Sequence, residues 1–152
     1  MMQIKKKPGT IEFEFLSDPN LAFRVIEECR QFFLYDIPNS VFIELSILLR
    51  EMLMNAIQHG NKSSINRKVW CRIVHLCQNR FKITVEDQGD GFDYRKINRK
   101  IPDHPEEIKA RGYILIHALS DRVEFNTRGN RITIYYNHEE RRTKNEHNGN
   151  DQ

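Results

Sequence analysis

Apolar and polar residues along this chain repeat with two different periods, and the strand period is the first to be seen. "TIEFEFLS" places Ile11, Phe13 and Phe15 at alternate positions, as in a half-buried strand. Two pairs of similar runs, "VWCRIVHLC" with "FKITVEDQ" and "RVEFNT" with "RITIYYN", are each joined by a short polar turn. The pattern therefore predicts an opening strand followed by two antiparallel hairpins.

Three other stretches have helical spacing. "SDPNLAFRVIEECRQFFLYD" predicts a first helix of about 15 residues with Ser17 or Asp18 as its N-cap. "IPNSVFIELSILLREMLMNAIQHGN" starts at a proline and stops at Gly60, which predicts a long second helix. "GYILIHALSD" predicts a third helix that opens at Gly112. The order of elements predicts an α+β fold, a two-layer sandwich of one mixed, largely antiparallel sheet with the helices on one face.

The length of 152 residues suits one domain, which we expect to span residues 1–137. Residues 138–152 have no apolar face and predict a disordered tail. Residues 89–111 combine glycine, proline and many charges without periodicity, which predicts a long loop. Loops of that length in compact domains are usually functional or disordered.

Composition narrows the class of protein. The net charge of +3 is small and its basic residues are dispersed among acids, so nucleic-acid binding is not expected. No apolar run is long enough for a membrane span, and "MMQIKKKPGT" lacks the apolar segment of a secretion signal. The three cysteines, Cys29, Cys71 and Cys77, form no C-x-x-C pair and are predicted to be small core residues in a reducing compartment. We therefore expect a cytoplasmic protein.

The second helix carries a polar stripe of Glu51, Asn55 and His59, spaced by four and hence on one face. On a helical wheel the stripe borders the buried face, where an acid and an amide can meet a ligand but are costly if left unpaired. Taken alone, Glu51 and Asn55 are more simply explained as an ion pair and a helix-end amide. His59 is expected to cap or pack at the helix end.

Two further motifs lie downstream. "VEDQGDGF" places Asp87 at the end of an apolar strand, with Gly89 and Gly91 turning the backbone beneath its carboxylate. Gly112 follows the long loop at the predicted start of a helix, where free N–H groups and the helix dipole favour phosphate. Each motif is weak by itself, since D-x-G-x-G alone is a common turn.

In this order the motifs resemble the three nucleotide-binding boxes of the GHKL superfamily, which includes gyrase, DNA-mismatch-repair ATPases and histidine-kinase catalytic domains. The E-x-x-x-N helix corresponds to Glu51 and Asn55, and D-x-G-x-G-F begins at Asp87 and ends at Phe92. The lid-end glycine corresponds to Gly112. Within the superfamily the chain looks most like the small anti-sigma factor serine/threonine kinases, through "NAIQHGN", "DQGDGFD" and "RGYILIHALSDRVEF". The resemblance implies the Bergerat ATP-binding fold.

The resemblance also implies how ATP and Mg²⁺ are bound. Asn55 would supply an oxygen to Mg²⁺, which bridges the phosphates. Asp87 would accept a hydrogen bond from the adenine amino group and so disfavour guanine. Gly89 and Gly91 would let the backbone approach the base, and Gly112 would present its amide to phosphate. The adjacent Phe92 and Tyr113 complete the implied nucleotide-binding set.

Catalysis and partners follow from the same resemblance. Glu51 would act as general base on a serine hydroxyl, and Arg111 would add positive charge near the transferred phosphoryl group. The implied partners are a sigma factor and an anti-anti-sigma protein of the STAS type, with a homodimer left open and no direct contact with nucleic acid or membrane.

One departure from the family pattern bears on catalysis. The family's lid commonly ends in two glycines around the arginine, whereas Ala110 precedes Arg111 here. Alanine resists positive φ, so turnover is more in question than binding. Two alternatives follow: a nucleotide-binding regulatory module that sequesters a partner without phosphotransfer, and a phosphatase or histidine-kinase accessory ATPase domain.

Overall fold

A computed structural model describes residues 2–91 and 108–138, with the main chain alone for residues 108–111. Its strands and helices alternate in groups along the chain. In order they are β1 (Met2–Lys7), β2 (Thr10–Leu16), α1 (Pro19–Phe32), α2 (Asn39–Asn55), a π-helical turn (Ala56–Gly60), β3 (Lys68–Cys77), β4 (Arg80–Asp87), α3 (Ile108–Leu119), β5 (Arg122–Phe125) and β6 (Arg131–Asn137).

The six described strands form one sheet in the order β1-β2-β3-β4-β6-β5. Each neighbouring pair is antiparallel, including the two predicted hairpins β3–β4 and β5–β6. The predicted α+β class is confirmed. The sheet differs from the mixed one expected from the sequence, because every pairing that the structure describes is antiparallel.

One face of the sheet forms the core with the helices. Alternate residues of β2, β3 and β4 are buried there, as the alternating pattern predicts, among them Phe13, Cys71 and Val85, which are direct cross-strand neighbours. The same strands place Glu12, Arg72 and Thr84 in a row on the opposite face. The apolar side of α2 packs on the buried face through residues that are less than a tenth exposed: Val41, Phe42, Leu45, Leu48, Leu49, Met52 and Leu53.

The edge strand β1 was not expected from the sequence. Four of its six residues are Gln or Lys, so the polar character of the segment hides its alternation. Met2 and Ile4 are partly buried against the core, and Lys6 forms an ion pair with Glu28 of α1 at 3.6 Å. The overlooked indication is the turn "PG", because Gly9 takes the positive φ of +71° that a tight two-residue turn requires.

Helix boundaries agree with the sequence at α1 and differ at α3. Asp18 caps α1, its carboxylate accepting a hydrogen bond from the Asn20 amide at 2.9 Å. The prediction that the third helix opens at Gly112 is wrong, because α3 begins four residues earlier at Ile108. The local sequence predicts a start at Gly112, but in the structure the helix already includes residues 108–111.

The cysteine prediction holds for two of the three thiols. Cys29 and Cys71 are buried and free, and burial raises the pKa of both thiols well above the ordinary value. Cys77 is exposed at the end of β3, so its assignment to the core is wrong. The alternation that buries Cys71 is broken there by an irregular register between His75 and Cys77.

No helix within residues 2–91 and 108–138 is both long and apolar enough to cross a membrane. The predicted loop at residues 92–107 and the predicted tail beyond residue 138 lie outside the described residues.

Candidate nucleotide-binding site

The polar stripe of α2 meets α3 at Gly112. A Cβ atom built on Gly112 would lie 2.9 Å from Glu51 Oε2 and 3.3 Å from Asn55 Nδ2. Glycine is therefore required at this position if both side chains are to keep their places. Two of the sequence-predicted site residues on α2 and one on α3 are brought together here by tertiary packing.

The spacing of four ends at Asn55, because the chain changes there from α-helix to a π-helical turn. The Asn61 amide donates to the Ala56 carbonyl at 2.8 Å, which spans five residues instead of four. Such π-helical turns are frequent at functional sites. His59 lies half-buried within this turn and is not among the residues that line the cavity described below.

The π-helical turn packs directly on the end of β4. A Cβ atom on Gly60 would lie 2.1 Å from Asp87 Oδ2, and one on Gly89 would lie 2.0 Å from the Gly60 carbonyl oxygen. Gly89 also donates its amide to Asp87 Oδ1 at 2.8 Å. The Asp87 carboxylate therefore lies between Gly60 and Gly89, and a side chain at either position would clash with the carboxylate or the neighbouring backbone.

A turn from the last hairpin holds the main chain of Asp87 from the other side. The Asp87 amide donates to the Asn130 carbonyl at 3.0 Å, and Asn130 Nδ2 donates to the Asp87 carbonyl at 2.9 Å. Asn126 orders this turn, since its Oδ1 accepts from the amides of Gly129, Asn130 and Arg131. The sequence predicts only a hairpin connection through "RGN" here, and it does not indicate the contact with Asp87.

Gly91, four residues after Asp87, packs against the same turn. It has φ of +84°, and a Cβ atom there would lie 1.8 Å from the Arg128 carbonyl oxygen. The close approach seen at Gly89 and Gly91 is to protein backbone, so their predicted contact with a nucleotide base stays a prediction. Phe92 lies outside the described residues, and Arg111 is placed in α3 by its main chain alone.

A small cavity lies between these elements. Its polar lining comes from Asn55, Asp87, Tyr113 and Asn130, and its apolar lining from Met52, Ala56, Val85, Ile116, Phe125 and Ile132, with Gly129. The volume is about 20 Å³, enough for one water molecule and far below the roughly 300 Å³ of a typical ligand pocket. The cavity as it stands is too small for a purine base.

Tyr113 closes the cavity on the α3 side. It is 6% exposed, and its ring centroid lies 6.1 Å from that of Phe125. Burial, followed by the negative charge of Asp87, raises the pKa of the Tyr113 phenol far above its ordinary value. The phenol is therefore protonated at neutral pH and able to donate a hydrogen bond.

Asn55 contributes the feature that best suits a bound ligand. Its Nδ2 atom is buried and has no hydrogen-bond partner in the described part of the chain. Buried polar atoms are rarely left in this state in native proteins, and the exceptions often mark a site for an ion or ligand. The amide oxygen suits Mg²⁺ and the amide nitrogen suits a phosphate oxygen, so the residues present fit a magnesium nucleotide.

Comparison with known families identifies the domain. Residues 16–136 match the family model described as "Histidine kinase-like ATPase domain". The chain belongs to this family. The match confirms the superfamily predicted from the three motifs, and it includes Glu51, Asn55, Asp87 and Gly112.

Curated relatives are similar over a shorter stretch. The chain is 30% identical over 87 residues to the serine-protein kinase RsbW of Staphylococcus aureus strains JH9 and Newman. The alignment covers 53% of this chain and 55% of those relatives. The chain therefore spans about half the length of the curated relatives it matches.

Solved structures support the fold. A histidine kinase domain of the Erythrobacter litoralis EL346 blue-light activated histidine kinase matches with a TM-score of 0.53 at 16% identity, covering 82% of this chain and 63% of that one. The longer form of that kinase matches with a TM-score of 0.51 at 22% identity, covering 71% and 34%. At these identities the likeness concerns the fold alone.

Proposed function

We propose that this protein is an anti-sigma factor that binds ATP with Mg²⁺, sequesters a sigma factor and phosphorylates a serine or threonine of an anti-anti-sigma partner. The observation that carries the proposal is the convergence of Glu51, Asn55 and Gly112 beside a cavity whose other end is Asp87. Membership of the histidine kinase-like ATPase family supports ATP binding at this place.

The adenine end of the site would be Asp87. Its carboxylate accepts hydrogen bonds only, so it pairs with the amino group of adenine and repels the carbonyl oxygen of guanine. Tight packing by Gly60 and Gly89 holds the carboxylate in one place. Selectivity for adenine over guanine would follow from this fixed position.

The phosphate end would be formed by Asn55 and the start of α3. Asn55 would hold Mg²⁺ through its amide oxygen, and the metal when bound neutralises charge on the phosphates. None of the cavity-lining side chains that the structure describes is basic. Arg111, at the start of α3, is the residue of this chain that we assign to the remaining phosphate charge.

Glu51 would act on the partner's hydroxyl group. Its half-buried carboxylate takes the proton as the serine oxygen forms a bond to the γ-phosphorus, while the bond from that phosphorus to the bridging oxygen breaks and ADP leaves. The proximity of Glu51 to Gly112 and to Asn55, the proposed metal ligand four residues later, supports this assignment.

The partners are proposed from relatives. The name of the Staphylococcus aureus relatives describes serine-protein kinases. The chain's own motifs resemble anti-sigma factor kinases, whose partners are a sigma factor and a STAS-type anti-anti-sigma protein. We place the protein in the cytoplasm on the same basis.

A second candidate function is a nucleotide-binding module that sequesters a partner without phosphotransfer. The observation that favours it is the position of Gly112 inside α3. An α-helix leaves only its first four amides free, and Gly112 is the fifth residue of α3. Its predicted phosphate contact therefore requires the first turn of α3 to unwind, and Ala110 resists the positive φ that a glycine would supply there.

A transfer assay tests the proposal. The full chain is mixed with Mg²⁺, γ-labelled ATP and the anti-anti-sigma protein encoded nearest to it. We expect the label to appear on a serine or threonine of that partner, and not when Mg²⁺ is chelated. If the chain binds ATP in calorimetry and retains the sigma factor without labelling any candidate partner, the sequestering module is the correct function.

A further inference from the structure

Asn61 is a completely buried polar residue directly after the π-helical turn. Its exposed fraction is 0%, and all of its hydrogen-bonding atoms are used. The Nδ2 atom donates to Ser17 Oγ at 2.8 Å and to the Lys68 carbonyl at 2.9 Å. The Oδ1 atom accepts from the Gln88 amide at 2.8 Å. Asn61 does not line the cavity, so its amide acts on other parts of the protein.

The Asn61 contact that bears on the candidate site is its hydrogen bond to the main chain directly after Asp87. Gln88 is the next residue, and its side-chain oxygen accepts a hydrogen bond from the Lys68 amide at 2.7 Å. Asn61 thus ties the end of β4 to the start of β3, where Asp87 is the cross-strand neighbour of Val69. The Asp87 main chain is held from the opposite side by Asn130.

The position of Asn61 in the chain makes this connection relevant to the site. Gly60, which precedes Asn61, contacts the Asp87 carboxylate. Asn55, six residues before Asn61, ends α2 and lies beside Glu51 and Gly112. A bond from Asn61 to Gln88 therefore joins the element that carries Asn55 to the strand that carries Asp87. Gly60 and Gly89 have no side chains, so the Asn61 amide supplies a side-chain hydrogen bond between the two backbones.

We propose that Asn61 is a positioning residue for adenine recognition, acting through the Gln88 amide on the Asp87 carboxylate. The proposal rests on the nucleotide-binding function given above. With the Asn61 acceptor removed, the Gln88 amide loses its partner, and the main chain after β4 loses this tie to the π-helical turn. The carboxylate keeps its contacts with Gly89 and Asn130 but is held less firmly on the side of the turn, so the distinction between adenine and guanine weakens while contacts to the phosphates remain.

The experiment compares Asn61→Ala with Ser17→Ala. Both residues are buried members of the same hydrogen-bond network, but Ser17 contacts Asn61 Nδ2 and the Arg67 carbonyl and leaves the bond from Gln88 to Asn61 in place. Dissociation constants for Mg-ATP and Mg-GTP are measured by calorimetry and by competition, together with thermal unfolding. We expect Asn61→Ala to lower the preference for ATP over GTP about 10-fold, as for loss of a hydrogen bond to a charged group. Ser17→Ala should lower stability and keep the preference.

Selectivity is the deciding readout, because a purely structural role would weaken both nucleotides by the same factor. A folded Asn61→Ala protein with wild-type preference overturns the proposal, as does an equal loss of preference in Ser17→Ala. If Asn61→Ala does not fold, Asn61→Ser replaces it, since its hydroxyl leaves a smaller void and is too short to reach the Gln88 amide. A wild-type protein that binds neither nucleotide overturns the proposed function and this inference together, whereas selective wild-type binding with an unchanged variant overturns this inference alone.

Discussion

At the scale of single residues, the candidate site depends on positions where a side chain is absent as much as on those where one is present. Gly60 and Gly89 allow two backbones and the Asp87 carboxylate to approach within contacts that a Cβ atom would prevent. Gly112 does the same for Glu51 and Asn55. These glycines set the places of the polar groups by packing.

Asp87→Asn tests the adenine assignment. The amide that replaces the carboxylate carries no charge, and a hydrogen bond to a charged acceptor contributes about 1.5 to 3 kcal/mol, so ATP affinity should fall about 10-fold to 100-fold. Calorimetry measures the affinity, and circular dichroism checks that the fold is kept. The matched control is Asp90→Asn, because the Asp90 side chain is 89% exposed and its ion pair with Arg128 is long, at 3.9 Å. Unchanged affinity in a folded Asp87→Asn protein would remove the assignment.

Glu51→Gln tests the proposed base. The substitution keeps the shape of the side chain and removes its affinity for a proton, so phosphorylation of the serine partner should fall by roughly 10² to 10⁴. ATP and sigma-factor affinity should change little, which separates a chemical effect from a loss of binding. Transfer by the variant at the wild-type rate would show that Glu51 is not the base, even if the protein is a kinase.

At the scale of elements, the positions of α2 and α3 determine the size of the cavity at the candidate site. The change from α2 to a π-helical turn at Asn55 brings Gly60 onto Asp87. The packing of α3 then leaves a cavity of about 20 Å³ beside Tyr113. The small cavity and the helix that begins before Gly112 occur together in this structure, and we infer that α3 must shift for a nucleotide to bind at the proposed site.

Hydrogen exchange of α3 tests this interpretation. We expect Mg-ATP to change the exchange rates of amides at residues 108–119, because the cavity must widen to hold a purine and Tyr113 and Ile116 of α3 line it. The strands β2 and β3, which do not line the cavity, serve as the internal control. If exchange in α3 is identical with and without Mg-ATP at saturating concentration, the helix does not gate the site. The expected protection of the lid, residues 93–111, is a prediction for a segment that lies largely outside the described residues.

At the scale of the whole molecule, one apolar core supports both ends of the site. α2 carries Glu51 and Asn55 at the border of its apolar face, and that face packs on the sheet that contains β4 and Asp87. The two ends of the proposed nucleotide site therefore keep their separation only while helix and sheet stay packed. Loss of the core would remove ATP binding even with every site residue present.

Leu48→Ala measures this dependence. Leu48 is 0% exposed, and removal of a buried leucine side chain generally lowers the free energy of unfolding by about 2 to 5 kcal/mol. Urea denaturation followed by circular dichroism gives the value. Ile43→Ala, on the same helix at a position 52% exposed, is the control and should change stability by less than about 1 kcal/mol. Similar losses in the two variants would contradict the assignment of the apolar face.

Local sequence determined most of the elements and the identity of the superfamily. The pattern predicts β2, β3, β4 and β6 through their alternation, and α1 and α2 through their helical spacing. Both signals come from residues that are close together in the sequence. The E-x-x-x-N and D-x-G-x-G motifs are equally local. The segment β1 escaped prediction because an edge strand buries little, and its lysines outweigh Met2 and Ile4 in the pattern.

Only the tertiary structure decided what the motifs touch. That Gly60 and Gly89 seat Asp87, that Asn61 holds Gln88 and that Asn130 holds the Asp87 main chain are contacts between residues far apart in the chain. No spacing rule encodes them, since a buried asparagine and an exposed one look the same in sequence. The start of α3 at Ile108 and the small volume of the cavity likewise belong to the folded chain, in which α3 packs on α2 and β5, because tertiary context can outweigh the local preference for a helix that opens at glycine.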